Sequence, residues 1–149
     1  LSGHDGDYIR TSSLERGAKM FNWRSWTCVA QEQMDEVGGI LGVPVPLGIS
    51  KENMRFFGIR NFSKLPTGAR LVFPLRDTPV NKSQVILAVW EENGPCRGVG
   101  DPFAAHYERP ELFAQFVKAA QGKRGVMGFV LSAGYVRVYD KVLVYPPVK

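Results

Sequence analysis

The sequence predicts an α+β fold: a small curved or closed β-barrel of about five strands with flanking helices. Three observations carry that expectation. Apolar residues make up 44% of the 149, with 16 glycines and 10 prolines, which is the composition of a folded, turn-rich chain. Residues 84–90, QVILAVW, are almost wholly apolar and read as a strand buried on both faces. Leu112, Phe113, Phe116, Val117 and Ala120 recur at helical spacing and build one apolar stripe.

Residues 1–24 are polar with no sustained period, and are expected to form a flexible N-terminal arm. A single domain is then expected over 25–149, long enough to bury a core without metal or disulfide staples. Residues 25–30, SWTCVA, are rich in strand formers. Met34, Val37, Ile40 and Leu41 have the spacing of a short amphipathic helix beginning in the low 30s. The same letters also allow one long helix from Ser25, and strand followed by helix is the preferred reading. Gly38-Gly39 and the Gly/Pro run 42–46 are expected to stop that helix. Ser50 is a plausible N-cap for a helical turn through Met54.

Leu65-Pro66-Thr67-Gly68 supplies a turn, and 69–73 reads as a strand that Pro74 ends or confines to a sheet edge. Residues 77–82 read as a loop or wide hairpin. After the apolar strand, 96–107 reads as a glycine-rich loop carrying Asp101-Pro102-Phe103 and His106-Tyr107. The clearest helix covers 109–121, with Pro110 in its first turn, Gly122 as its C-cap and Lys123-Arg124 at its negative end. Residues 126–131 and 135–145 are expected to form a hairpin around Ser132-Ala133-Gly134. Asp140 falls on its valine face and predicts a bulge or a change of pairing there.

The formal charge is +5, which is compatible with an anionic partner such as nucleic acid and decides nothing alone. Two distant cysteines and two histidines do not make a zinc ligand set, so no metal and no cofactor are expected. Cys28, in an apolar run, reads as a free buried thiol, and the compartment as reducing and intracellular. No apolar run approaches the roughly 20 residues of a membrane helix, and no signal-peptide pattern is present. A chain starting at Leu1 rather than Met reads as a fragment or processed product.

The organising stretch is 54–73, MRFFGIRNFSKLPTGARLVF. An aromatic beside a glycine, ahead of a core strand, can wall a pocket for a flat ligand. Taken singly, Phe56, Phe57, Ile59 and Phe62 also read as ordinary core. With SWTCVAQEQ (25–33), VILAVWEENGPCRGVGDPF (85–103) and the closing YVRVYDKVLVYPPV, this stretch resembles EVE domains. These belong to the PUA-like barrel superfamily, which also holds the YTH readers of methylated adenine in RNA. The likeness covers roughly residue 25 onward.

The resemblance implies a PUA-like reader without chemistry, one that binds RNA or DNA and holds a flipped base, modified or not, between aromatics. Phe57 falls where the family places a tryptophan or similar aromatic, and Gly58 where backbone approaches the base. Ala30 and Gln31 fall where a polar group meets the base edge. Trp26 and a second aromatic, from Phe103 or Tyr107, complete the implied base pocket. Stacking on aromatics contributes about 1–3 kcal/mol per base, and Gln31 can donate and accept on a Watson–Crick edge. Arg55, Arg60, Lys64, Lys123, Arg124, Arg137 and Lys141 are candidates for phosphate contacts, each reading equally as a solvated charge.

Two alternatives stand beside this one. The face bearing Tyr135, Arg137 and Tyr139 suits a protein partner, which would make the chain an adaptor subunit of a larger assembly. A hydrolase like the related ASCH domains would use Glu91-Glu92 as a general base with Lys64 or His106, although no serine or cysteine has a nucleophile motif around it. No catalytic residue is therefore assigned.

Overall fold

The computed structural model describes residues 22–75 and 83–147. In chain order it has β1 (Trp26–Ala30), α1 (Gln31–Leu41), β2 (Met54–Phe56), a 3-10 turn (Phe62–Lys64), β3 (Arg70–Phe73) and β4 (Val85–Glu92), followed by α2 (Arg97–His106), α3 (Leu112–Ala119), β5 (Val126–Ser132) and β6 (Leu143–Tyr145). The strands form one six-stranded sheet in the order β2-β1-β5-β4-β3-β6, curled into a half-barrel. The α+β expectation holds, with one strand more than the sequence suggested.

Strand periodicity divides the interior in two. Successive side chains of a strand face opposite ways, so Trp26, Cys28 and Ala30 of β1 enter one core with Phe56, Phe62, Leu71 and Leu87. Val29, between them, enters the other core with Met34, Val37, Phe103, Leu112 and Phe116 from the helices. The sheet is thus apolar on both faces along β1, and the helices cover the second.

The preferred order at the N-terminal end, strand then helix, is correct. Of the two glycine signals expected to stop the helix, the second does so: α1 runs through Gly38-Gly39 to Leu41, and Gly42, in the left-handed conformation, caps it by donating to the Gly38 carbonyl. Ser50 caps no helix. Its hydroxyl donates to Glu52 Oε2 at 2.6 Å, and the segment that follows forms β2, paired in parallel with β1 through Cys28↔Met54 and Ala30↔Phe56. A three-residue strand carries too short a pattern to be read from its own letters.

The largest correction concerns 96–107. It is α2, not a loop. Val99, Phe103 and Ala104 bury one face of it, and its glycines serve packing: a Cβ on Gly100 would lie 2.7 Å from the Phe113 ring of α3. Glycines that signal a loop in sequence here allow two helices to meet closely.

The helix expected over 109–121 is present in a shorter form, as α3. The expected C-terminal hairpin does not form. Only Leu143–Tyr145 of its second arm is a strand, and it pairs with β3 rather than β5. The break anticipated at Asp140 is a turn, in which Arg137 N–H donates to Asp140 Oδ2 at 2.9 Å and Asp140 N–H donates to the Arg137 carbonyl at 3.1 Å. Of the expected arm, 1–21 lie outside the described residues, as does the whole of the loop expected at 77–82. Trp23, near the end of that arm, stacks on Trp90 with ring centroids 4.5 Å apart.

At the centre of the sheet, Gly125 leads into β5 at φ 74°, and a Cβ there would fall 1.8 Å from the Cys28 carbonyl oxygen. Both a backbone that disfavours side chains and a collision with main chain oppose any other residue. Gly125→Ala is therefore expected to cost about 2–5 kcal/mol, read as a lowered midpoint in urea unfolding; a midpoint equal to the parent's would show that the strands are not this close.

Candidate functional site

The two cysteines sit in opposite environments. Cys28 is buried within β1, where burial first, and then the negative charge of Glu52, pushes its thiol well above its ordinary value. It behaves as a core residue. Cys96 is exposed and stands immediately before α2. The N–H groups of Val99 and Gly100 donate to its carbonyl at 3.1 and 3.2 Å, opening the helix. Its Sγ lies 3.7 Å from where a Cβ on Gly98 would be, so the sulfur rests over the first turn. A helix N-terminus carries partial positive charge from unpaired N–H groups, a setting that favours sulfur bearing negative charge.

Behind this loop lies Arg124, a buried cation. Its Nη1 donates to Asn93 Oδ1 at 3.0 Å and to the Gly94 carbonyl at 2.7 Å, and its Nη2 donates to the Ser50 carbonyl at 3.0 Å. All three acceptors are neutral. Burial, the largest cause, lowers its pKa from the ordinary value. Arg124 Nε and Asn93 Nδ2 are buried without a hydrogen-bond partner.

Ser50 connects this region to a second buried group. Glu52, its side chain 2% exposed, pairs with Arg55 and accepts from Ser50 Oγ and from the Gly48 N–H at 2.9 Å. Arg55 in turn donates to the carbonyls of Val45 and Pro46 at 3.0 and 2.9 Å. Burial alone would raise the Glu52 pKa, but the hydrogen bonds from Ser50, Gly48 and Arg55 outweigh it and hold the carboxyl below its ordinary range.

The residues expected to form a base pocket fall into separate groups. Ala30-Gln31 and Phe57-Gly58 lie at the paired ends of β1 and β2, and Phe103 and Tyr107 touch among the helices, with ring centroids 5.2 Å apart. Trp26 and Ala30 are buried in the core under β1, and Phe103 is buried in the helix-side core. Tyr107 packs against that second core and donates its hydroxyl to the Pro44 carbonyl at 2.5 Å. Phe57 is 70% exposed. Gly58 adjoins it, its N–H donating to Glu32 Oε1 at 2.5 Å. Gln31 spends both ends of its amide, accepting from Arg55 at 3.2 Å and donating to Asp35 at 2.6 Å. Periodicity sent these side chains to different layers.

The candidate phosphate contacts also divide. Arg55 and Arg124 are buried and spend their guanidinium groups on the protein's own carbonyls, which corrects the surface role given to them. Lys64 pairs with Glu92 and Lys123 with Glu36, each at 2.9 Å. Arg60, Arg137 and Lys141 are exposed. Of the groups weighed for hydrolysis, Glu92 is the partner of Lys64, and His106 ends α2 edge-on to the Tyr107 ring at 4.7 Å.

Sequence reasoning overlooked Cys96, Asn93 and Ser50. A signal existed for the first: a cysteine within NGPCRG, after a strand and outside any apolar run, has no packing reason to be cysteine. Among the described residues, no three or more His, Cys, Asp or Glu side chains gather to hold a metal ion, and no helix is long and apolar enough to cross a membrane.

A family model described as MOSC domain matches residues 20–143. The chain is similar to YuaD of Bacillus subtilis strain 168, whose description assigns it provisionally to metal-sulfur cluster biosynthesis. The two are 30% identical over 139 residues, 91% of this chain and 68% of that protein. It is also similar to a crystal structure of the YuaD protein from Bacillus subtilis, with a TM-score of 0.67 and 28% identity over 83% of this chain. The chain spans 65% of the length of that solved relative. These matches overturn the resemblance to EVE domains, and with it the PUA-like and YTH-related expectation. The shared pattern of aromatic, glycine and strand reflects what any curled sheet with tight turns requires.

Because folding holds Glu52 below its unfolded value near 4.5, its contribution to stability is fully present above that pH and is lost as pH falls through the folded value. Glu52→Gln should cost about 1–3 kcal/mol at neutral pH, and the difference from the parent should shrink at about pH 3. Urea titrations at the two pH values check this; a variant as stable as the parent at neutral pH would remove Glu52 from the network.

Proposed function

The chain belongs to the MOSC domain family, and from that premise we propose that it handles sulfur in the assembly of a metal–sulfur centre, with Cys96 as the group that receives and presents the sulfur. The observation that carries this reading is the setting of Cys96: an exposed thiol at the start of α2, two residues after Gly94, whose carbonyl the buried Arg124 holds at 2.7 Å. The description of YuaD as a protein of metal-sulfur cluster biosynthesis supports the substrate class.

The chemistry needs one nucleophilic sulfur and a way to hold negative charge on it. The Cys96 thiolate attacks the outer sulfur of a donor persulfide. A new S–S bond forms at Cys96 as the donor's S–S bond breaks, and the donor leaves as its thiolate, so no outside oxidant is consumed. The N-terminal end of α2 and Arg124 stabilise negative charge on the attacking thiolate and on the persulfide product. Gly98 keeps the first turn clear of a side chain beside Sγ. The metal–sulfur centre enters as cargo: this chain offers it one exposed thiolate, and the other ligands come from elsewhere.

Base reading drew its support from the EVE resemblance and is left without it; Phe57 is an exposed aromatic with no partner ring of the expected set beside it. Incubation with a small-molecule persulfide, followed by peptide mass mapping, tests the sulfur reading. Cys96 should gain the mass of one sulfur atom, Cys96→Ser should gain nothing, and Cys28→Ala should react as the parent does. Modification that survives Cys96→Ser, or no modification of the parent, would defeat the proposal.

A further inference from the structure

Among the described residues, a run of exposed apolar side chains lies at one edge of the sheet. β6 is the last strand of the order, paired with β3 on one side, and among the described residues no strand pairs with its other side. Edge strands are ordinarily protected by charge, proline, brevity or a covering segment. Here Leu143, Val144 and Tyr145 are all exposed, on both faces of the sheet. The connection leading into β6 adds Val138, 82% exposed, and Tyr139, 94% exposed. The opposite edge differs: β2 ends in buried Phe56, and its Arg55 is held by Glu52.

We propose that β6 is the interface of a homodimer, pairing antiparallel with β6 of a second copy about a two-fold axis through Val144. The segment is self-complementary. With Val144 opposite Val144 of the second copy, Leu143 falls opposite Tyr145 and Tyr145 opposite Leu143, so each copy presents the same apolar set that it meets. The axis also separates the charges. The two Lys141 side chains lie six residues apart along the paired strands, about 20 Å, well beyond the screening length of about 8 Å at physiological salt. Pro146 and Pro147 end the pairing on either side and resist a register slip.

The exposed parts of Val136, Val138, Tyr139, Leu143, Val144 and Tyr145 set a ceiling of roughly 700 Å² that a second copy can cover on each chain, against the about 800 Å² per partner of a standard interface. Isologous pairing also consumes the open edge, so the assembly closes at two copies rather than extending into a fibre.

Sedimentation of the full chain tests the proposal. The parent should sediment at twice its 16.6 kDa mass. Val144→Lys, which sets two cations against each other at the axis, should sediment at the monomer mass with an unchanged far-ultraviolet circular dichroism spectrum. Where that spectrum is altered, a second variant decides. In a Cys96→Ser background, Val144→Cys should cross-link to a dimer on mild oxidation, because facing residues of antiparallel strands have Cα atoms about 4.5–5.5 Å apart. Ile40→Cys, on an exposed face of α1, should not. A monomeric parent at millimolar protein, or a parent whose dimer survives Val144→Lys unchanged, would overturn the proposal.

Discussion

Much of this structure depends on one buried cation. Arg124 precedes β5 and reaches back to Asn93 and Gly94, beyond the end of β4, and to Ser50, ahead of β2. A guanidinium taken out of water without a carboxylate is costly unless its hydrogen bonds are made. Here three oxygens meet it, and hydrogen bonds to a charged group contribute about 1.5–3 kcal/mol each. The same contacts hold the residues just ahead of Cys96 and so tie the position of the exposed thiol to the packing of the sheet. Arg55 acts in the same way in the neighbouring loop, so that 45–55 is secured from both sides by arginines bonding main-chain oxygens.

Backbone closeness is the second constraint, and glycine permits it. At Gly125 the chain enters β5 against the carbonyl of Cys28, and at Gly100 α2 lies against the Phe113 ring. The first contact sets how β5 joins β1 and places Arg124, one residue earlier, inside the fold. The second sets how α2 lies on α3, which orients the helix start carrying Cys96. The thiol and the cation behind it are therefore arranged by main-chain packing more than by contact with each other.

The misreading of 96–107 shows where letter patterns fail. Gly98, Gly100 and Pro102 within ten residues have low helix propensity, yet burial of Val99, Phe103 and Ala104 against α3 overrides that preference. Read as a loop, the segment gives Cys96 no helix start behind it. Loose motifs of aromatic, glycine and strand then suggested a family that the match over 20–143 does not support. Such motifs report turns and apolar strands, which unrelated curled sheets share.

What the letters alone determined was local. The spacing in SWTCVA, QVILAVW and the 112–120 stripe determined strand, strand and helix, because burial of one face or both imposes a period on the chain. Composition determined an α+β domain with its own core. Tertiary structure alone decided that β6 pairs with β3 instead of β5, that Phe57 faces water while Arg124 does not, and that Arg124 holds the Gly94 carbonyl two residues ahead of Cys96. Periodicity says which side of an element is apolar, but it does not say which distant element will cover it. Residues far apart in the chain meet only when the whole sheet has chosen its order.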